Sequence, residues 1–288
     1  MSYIKNSYLK NSPMGALIHR KAMYYFRQYM IVGGMPQAVQ EYVNTKDFDF
    51  VDIVKRDILN LYRDDISKHA GENYAKVCRI FDEIPSQLSK RSKKFRMSAI
   101  SKHARVRDYE DSLFWLSDAM VVNNCFNSSE PNIGLKLNMD RTTLKCYLAD
   151  TGLLISHAFD ENAILAEQIH RKLLLENIEI NKGMIMENIV AQMLVCAGHR
   201  LYFYAKSDRS DSSANMEIDF LIAKPKLERR HNVSAIEVKS SKQYQSSSLH
   251  KYKSKYEKYI HRAIVLHTKD VMTKDGITYL PIYMTPLL

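Results

Sequence analysis

Two charged side chains inside an apolar strand constrain this chain more than any other feature. In Ala235-Ile236-Glu237-Val238-Lys239 the pattern is that of a strand, so Glu237 and Lys239 share one face while Ile236 and Val238 share the other. Upstream, Glu217-Ile218-Asp219-Phe220-Leu221-Ile222 puts Asp219 in a similar apolar run. Ionisable groups beside a core are costly unless they are paired or hold a metal. Asp219 and Glu237 can together hold a divalent cation, with Lys239 orienting the attacking water and neutralising phosphate charge, as a metal-dependent phosphodiesterase requires. Ligands that are all oxygen favour Mg²⁺ or Mn²⁺ over zinc. The competing reading is a salt bridge on an edge strand.

The segments around these strands predict an α/β unit. A helix opens near Gly183, closes at Gly198 and carries Glu187 as the single acid among Met184, Ile185, Ile189 and Val190. Strands follow at Leu201–Tyr204, Glu217–Ala223 and Ala235–Ser240, then a helix at Leu249–Ile260 and a strand at Ala263–His267. In that helix Tyr252, Tyr256 and Tyr259 are spaced to pack on a sheet, and the lysines between them face outward or line a nucleic-acid groove. Asp208–Asn215 reads as a loop, and helices are expected from Thr151 through Ile180.

The N-terminal half reads as helical. Gly33-Gly34-Met35-Pro36 makes a sharp turn with Pro36 at a helix start, and Asp150 caps the helix beginning Thr151-Gly152-Leu153-Leu154. Tyr74, Val77, Ile80, Phe81 and Ile84 form one helix face that Pro85 is expected to end. A short helix at Ser98–His103, a longer one at Val106–Ala119, a strand at Met120–Phe126, and a return strand begun by Leu135 and Leu137 give the order of a winged helix-turn-helix. Between Pro85 and Asp108 lie Lys90, Arg91, Lys93, Lys94, Arg96, Lys102, Arg105 and Arg107 with no acid among them. In a winged helix these residues contact DNA phosphates; the alternative is a solvated face of a module that binds protein.

Composition narrows the partners. Lysine and arginine number 42 against 32 acids, a net charge of +10, which favours anionic partners. The four cysteines form no CxxC pair, which argues against zinc fingers and disulfide frameworks. No apolar run is long enough to span a bilayer, no glycine pattern forms a phosphate loop, and the expectation is a soluble cytoplasmic protein without a membrane partner.

A helical Glu187, a strand Asp219 and Glu237-x-Lys239 on the next strand resemble the PD-(D/E)XK nucleases in their Holliday-junction-resolvase-like order. Ile218 replaces the proline of the signature. Gly33-Gly34-Met35-Pro36, Asp150-Thr151-Gly152-Leu153-Leu154, Gly183 with Glu187-Asn188-Ile189-Val190, Glu217-Ile218-Asp219-Phe220 and Ile236-Glu237-Val238-Lys239-Ser240 occur in one order. Together they resemble the domain-of-unknown-function 4143 family, the C-terminal half of a group of AAA-type ATPases, over about residues 20–270. The resemblance implies a helical, ATPase-lid-like tail over 1–70, a winged helix over 71–150 and a restriction-endonuclease-like domain with a mixed sheet over 151–288. It implies Glu187 as a further cation ligand, or a water-mediated contact, beside Asp219 and Glu237. It also implies DNA as partner, and an ATPase domain in cis or trans that alone would bring ATP. The alternative is a silent nuclease fold that binds DNA or protein for the ATPase.

Overall fold

The computed structural model describes residues 2–102, 104–131, 134–159, 170–174, 181–206, 215–223, 233–241 and 246–288. His103 and most of the expected Asp208–Asn215 loop and of the stretch up to Ile180 lie outside them. The protein is a mixed α/β chain, helical in its N-terminal region and built on a mixed sheet in its C-terminal region. It divides into a sheet unit, residues 1–23, 125–144 and 193–288, and a helical unit, residues 24–124 and 145–192.

In the sheet unit, β3 (Tyr202–Lys206), β4 (Met216–Ala223) and β5 (Val233–Val238) form an antiparallel meander. A helix, Ser247–Lys255, then carries the chain to β6 (Ile260–His267), which runs parallel to β5. The sheet order is β2-β1-β3-β4-β5-β6-β8-β7, where β1 is Val122–Ser128, β2 Met139–Leu148, β7 Met272–Lys274 and β8 Ile277–Pro281. Strands β7 and β8 are additions to the expected order. Leu249 and Tyr252 of the crossover helix are buried against Ile218, Leu221, Ala235, Val265 and Ile277, so its apolar spacing covers one sheet face. Tyr256 packs at the edge of this core, its hydroxyl 3.1 Å from that of Tyr204, whereas Tyr259 lies beyond the helix end and is exposed.

The pairing of β3 with β4 is irregular. Tyr202 faces Leu221 and Tyr204 faces Ile218, so β4 has one residue more than β3 over this stretch. The surplus falls at Asp219-Phe220, a β-bulge, a device that re-aims side chains.

The helical unit holds α3 (Pro36–Thr45), α4 (Phe48–His69), α5 (Tyr74–Ser89), α6 (Glu110–Asp118) and α7 (Thr151–Ala158). It also holds the Tyr24–Val32 part of α2 (Ala16–Val32) and the Lys182–Gln192 part of α8 (Lys182–Cys196). Helix α5 does not end at Pro85 but runs to Ser89. Proline leaves the carbonyl four residues back without its helical donor, and here His157 Nε2 takes the place of that donor, 3.0 Å from the Phe81 oxygen. The imidazole also stacks on the Phe81 ring at 4.6 Å. His157→Phe keeps the ring contact and loses the donor, so it should cost about 1–2 kcal/mol in urea unfolding. The cost should shrink in a Pro85→Ala background, where the helix supplies an N–H; equal costs in both backgrounds would contradict this account.

Three further boundaries differ from expectation. The Ser98–His103 helix is a single 3₁₀ turn at Met97–Ala99, and the Val106–Ala119 helix starts as a 3₁₀ turn at Val106–Tyr109 before α6. Residues Leu135–Asn138 are a turn, and the return strand starts at Met139. Side-chain alternation locates a strand, but its ends depend on pairing with neighbours.

The two glycine motifs of the helical unit meet. Asp150 caps α7 by accepting from Leu153 N–H at 2.9 Å, and its other oxygen accepts from Gly34 N–H at 2.6 Å and from Gln192 Nε2 at 3.1 Å. Gln192 Oε1 accepts from Thr151 N–H at 2.9 Å, and Asn188 Nδ2 donates to the Leu148 carbonyl at 3.0 Å and to Thr151 Oγ1 at 2.9 Å. Gly33, at φ +82°, and Gly152 lie backbone against backbone, where a Cβ on Gly152 would stand 2.7 Å from Gly33 N. The Asn188/Gln192 spacing of four inside an apolar helix is the sequence signal for this polar clasp.

Candidate functional site

Asp219, Glu237 and Lys239 come together in the sheet unit. The register that pairs Phe220 with Ile236 brings Asp219, one step on, beside Glu237. At the bulge the Asp219 carboxylate accepts the Val238 N–H, at 2.8 Å. Lys239 Nζ stands 3.0 Å from Glu237 Oε2. The approach lacks hydrogen-bond alignment, and Oε2 is buried without a hydrogen-bond donor. Glu237 is only 3% exposed. Burial pushes its carboxyl up to about 7; the charge of Asp219 adds to the rise, while Lys239 and the Leu249 N–H, in the first turn of the crossover helix, oppose it.

This arrangement has a definite chemistry. Two carboxylates on adjacent strands, one of them buried, form a hard-oxygen donor pair beside an ammonium group. Among the described residues no three His, Cys, Asp or Glu side chains gather as a metal-binding set. Asp219 and Glu237 alone would hold a hard cation only with water completing most of its coordination.

Glu187 belongs to the helical unit and has its own partners there. Lys93 Nζ donates to Oε1 at 2.5 Å, Tyr147 OH donates to Oε2 at 3.1 Å, and Lys145 Nζ lies 3.7 Å from Oε2. Burial alone would raise its carboxyl, but Lys145 and Lys93, helped by the hydrogen bonds of Lys93 and Tyr147, hold it below the usual carboxylate range. Sequence reasoning missed Lys145 and Tyr147. The signal was the same period-two pattern that marks Glu237 and Lys239: a lysine alternating into an apolar strand, Lys145-Cys146-Tyr147-Leu148.

The basic cluster lies between α5 and α6. Lys90, Arg91, Arg96, Lys102, Arg105 and Arg107 are exposed, Lys94 is half-buried, and Lys93 is occupied by Glu187. Arg107 also lies 3.6 Å from Asp108 on the surface. The first turn of α6 is acidic, with Glu110 and Asp111, so the positive charge sits on the segment that precedes the helix.

No helix among the described residues is long and apolar enough to cross a membrane. Comparison with protein families finds two matches: residues 182–285 match a domain of unknown function numbered 4143, and residues 23–163 match another, numbered 8612. The first match is shorter than the resemblance drawn from the five motifs: the two glycine motifs fall within the span of the second. No curated protein and no solved structure matches the chain.

Proposed function

We propose that the sheet unit carries a cation-dependent DNA phosphodiesterase site of the PD-(D/E)XK type, in a protein that works with an AAA-type ATPase domain supplied in cis or trans. The reading is supported by the succession of helix, three-stranded meander, crossover helix and parallel strand, and by a sequence match to a domain that typically follows AAA ATPase domains. One observation carries it: the buried Glu237 carboxylate beside Asp219, with Lys239 Nζ 3.0 Å from its Oε2. Asp219 and Glu237 hold Mg²⁺ or Mn²⁺, and Lys239 steers water and phosphate. The cation, when bound, polarises the phosphate and lowers the pKa of bound water. Residues 71–150 act as a winged helix that binds DNA phosphates through the basic segment between α5 and α6.

A second reading draws on the Lys239–Glu237 pair itself, which neutralises the cluster without a cation. On that reading the fold is catalytically silent and serves as a DNA- or protein-binding module for the ATPase. Incubation with plasmid, linear and branched DNA in Mg²⁺ or Mn²⁺ separates the two. Turnover by the wild type, reduced about 100-fold or more in Lys239→Ala, supports the nuclease. Equal cleavage by both proteins would remove Lys239 from the site, and DNA binding without cleavage by either would select the module.

A further inference from the structure

We propose that Glu187 is not a cation ligand but the anchor of the basic segment, and that Lys93 is its positioning residue rather than a DNA contact. The proposal rests on the DNA-binding reading above and refines it.

Four contacts fix the segment from Lys90 to Met97. The Gln87 side chain, buried on α5, accepts the Arg96 N–H at 3.3 Å. Phe95 and Met97 are buried. Lys93 reaches Glu187 at 2.5 Å with both side chains largely shielded from solvent, 12% and 8% exposed. A charge-assisted bond this sheltered from water is little screened by salt. Lys90, Arg91, Lys94 and Arg96 surround these fixed points, and three of the four are exposed.

The same geometry occupies Glu187. Its Oε1 takes the Lys93 ammonium, its Oε2 takes Tyr147 OH, and Lys145 stands beside them. A divalent cation would have to displace these partners and leave two lysines against a third positive charge. The carboxylate is therefore committed to holding a loop in place. Phosphate contacts made from a pre-shaped loop lose less conformational entropy on binding than contacts from a free one.

The salt dependence of binding separates an anchor from a contact. Each side chain that neutralises a phosphate contributes about 0.9 to the slope of log K against log salt. With a short DNA duplex and the full chain, Arg91→Ala should lower the slope by about that amount. Lys93→Met and Glu187→Gln should weaken binding about five- to tenfold with the slope unchanged, and Lys93→Arg should restore affinity. Trypsin should cut after Lys90, Arg91 and Lys94 at least tenfold faster in Lys93→Met and Glu187→Gln than in the wild type. Mn²⁺ binding should survive in Glu187→Gln and fail in Asp219→Asn. A slope that falls by one charge in Lys93→Met, or Mn²⁺ binding lost in Glu187→Gln, would overturn the assignment. If the wild type binds neither DNA nor Mn²⁺, the functional reading fails, and trypsin cleavage alone decides whether Glu187 is the anchor.

Discussion

Gly33→Ala is expected to destabilise the protein by about 4 kcal/mol or more, a large loss for the addition of a single methyl group. Gly33 adopts φ +82°, where an L side chain is strained by about 1 kcal/mol. The added Cβ would also collide with Asp150 Oδ1 and stand 2.9 Å from Oδ2. Asp150 cannot retreat freely, because Leu153 N–H, Gly34 N–H and Gln192 Nε2 all donate to it. Breaking a buried carboxylate network costs about 3 kcal/mol or more. Gly34 is the internal control: its Cβ would meet Asp150 Oδ2 at 3.4 Å and Gln192 Nε2 at 3.5 Å, ordinary contact distances, so Gly34→Ala should shift stability by only about 0.5 kcal/mol. Urea unfolding of the two variants tests the account. Similar losses for both would show that the Gly33–Asp150 contact is not the cause.

Glu237→Gln should stabilise the protein in alkaline solution by about 3 kcal/mol. Burial lifts the folded-state carboxyl to about 7 from an ordinary value of 4.5, so the native state holds the proton more tightly than the unfolded chain. The stability associated with the protonated carboxyl is therefore fully present below about 4.5, declines as pH rises, and is lost once pH passes about 7. Glutamine keeps the shape and never ionises, so wild type and variant should have similar urea midpoints near pH 4 and diverge by pH 8. Saturating Mg²⁺ should narrow the gap at pH 8 by stabilising the ionised wild type alone. Parallel pH profiles would show that Glu237 does not carry this burden.

The proximity of Glu237 and Lys239 was legible in the sequence, and for a local reason. Period-two alternation places Glu237 and Lys239 on one face whatever the rest of the chain does, and apolar neighbours on both sides of Asp219 mark its strand. The succession of helices and strands in the C-terminal half follows from the same patterning. What escaped depends on contacts between distant segments. The extra residue of β4 at Asp219-Phe220 exists only relative to β3. Pro85 reads as a helix stop until His157 is placed at the Phe81 carbonyl. The partners of Glu187 escaped as well, because Lys93, Lys145 and Tyr147 come from other parts of the chain. The eight basic residues read as one patch, although Lys93 is consumed by a largely buried ion pair.

The interleaving of the two units bears on how the chain reaches its native state during synthesis. The sheet unit is assembled from three stretches and the helical unit from two, so the growing chain passes between them four times. Strand β1 cannot gain its parallel partner until Tyr202 and Phe203 have left the ribosome, and Asn127 must wait as long to cap the Ala205 N–H at 2.9 Å. Nor is β6 flanked on both sides before β8, at the end of the chain, is made. Loop closures this long slow folding, and they leave strand edges open in the meantime. The family matches divide the chain between residues 163 and 182, whereas its folding units are joined across that division. The family matches and the compact units thus cut this polypeptide at different places, and the half that carries Asp219 and Glu237 takes two strands, β1 and β2, from the other to complete its sheet.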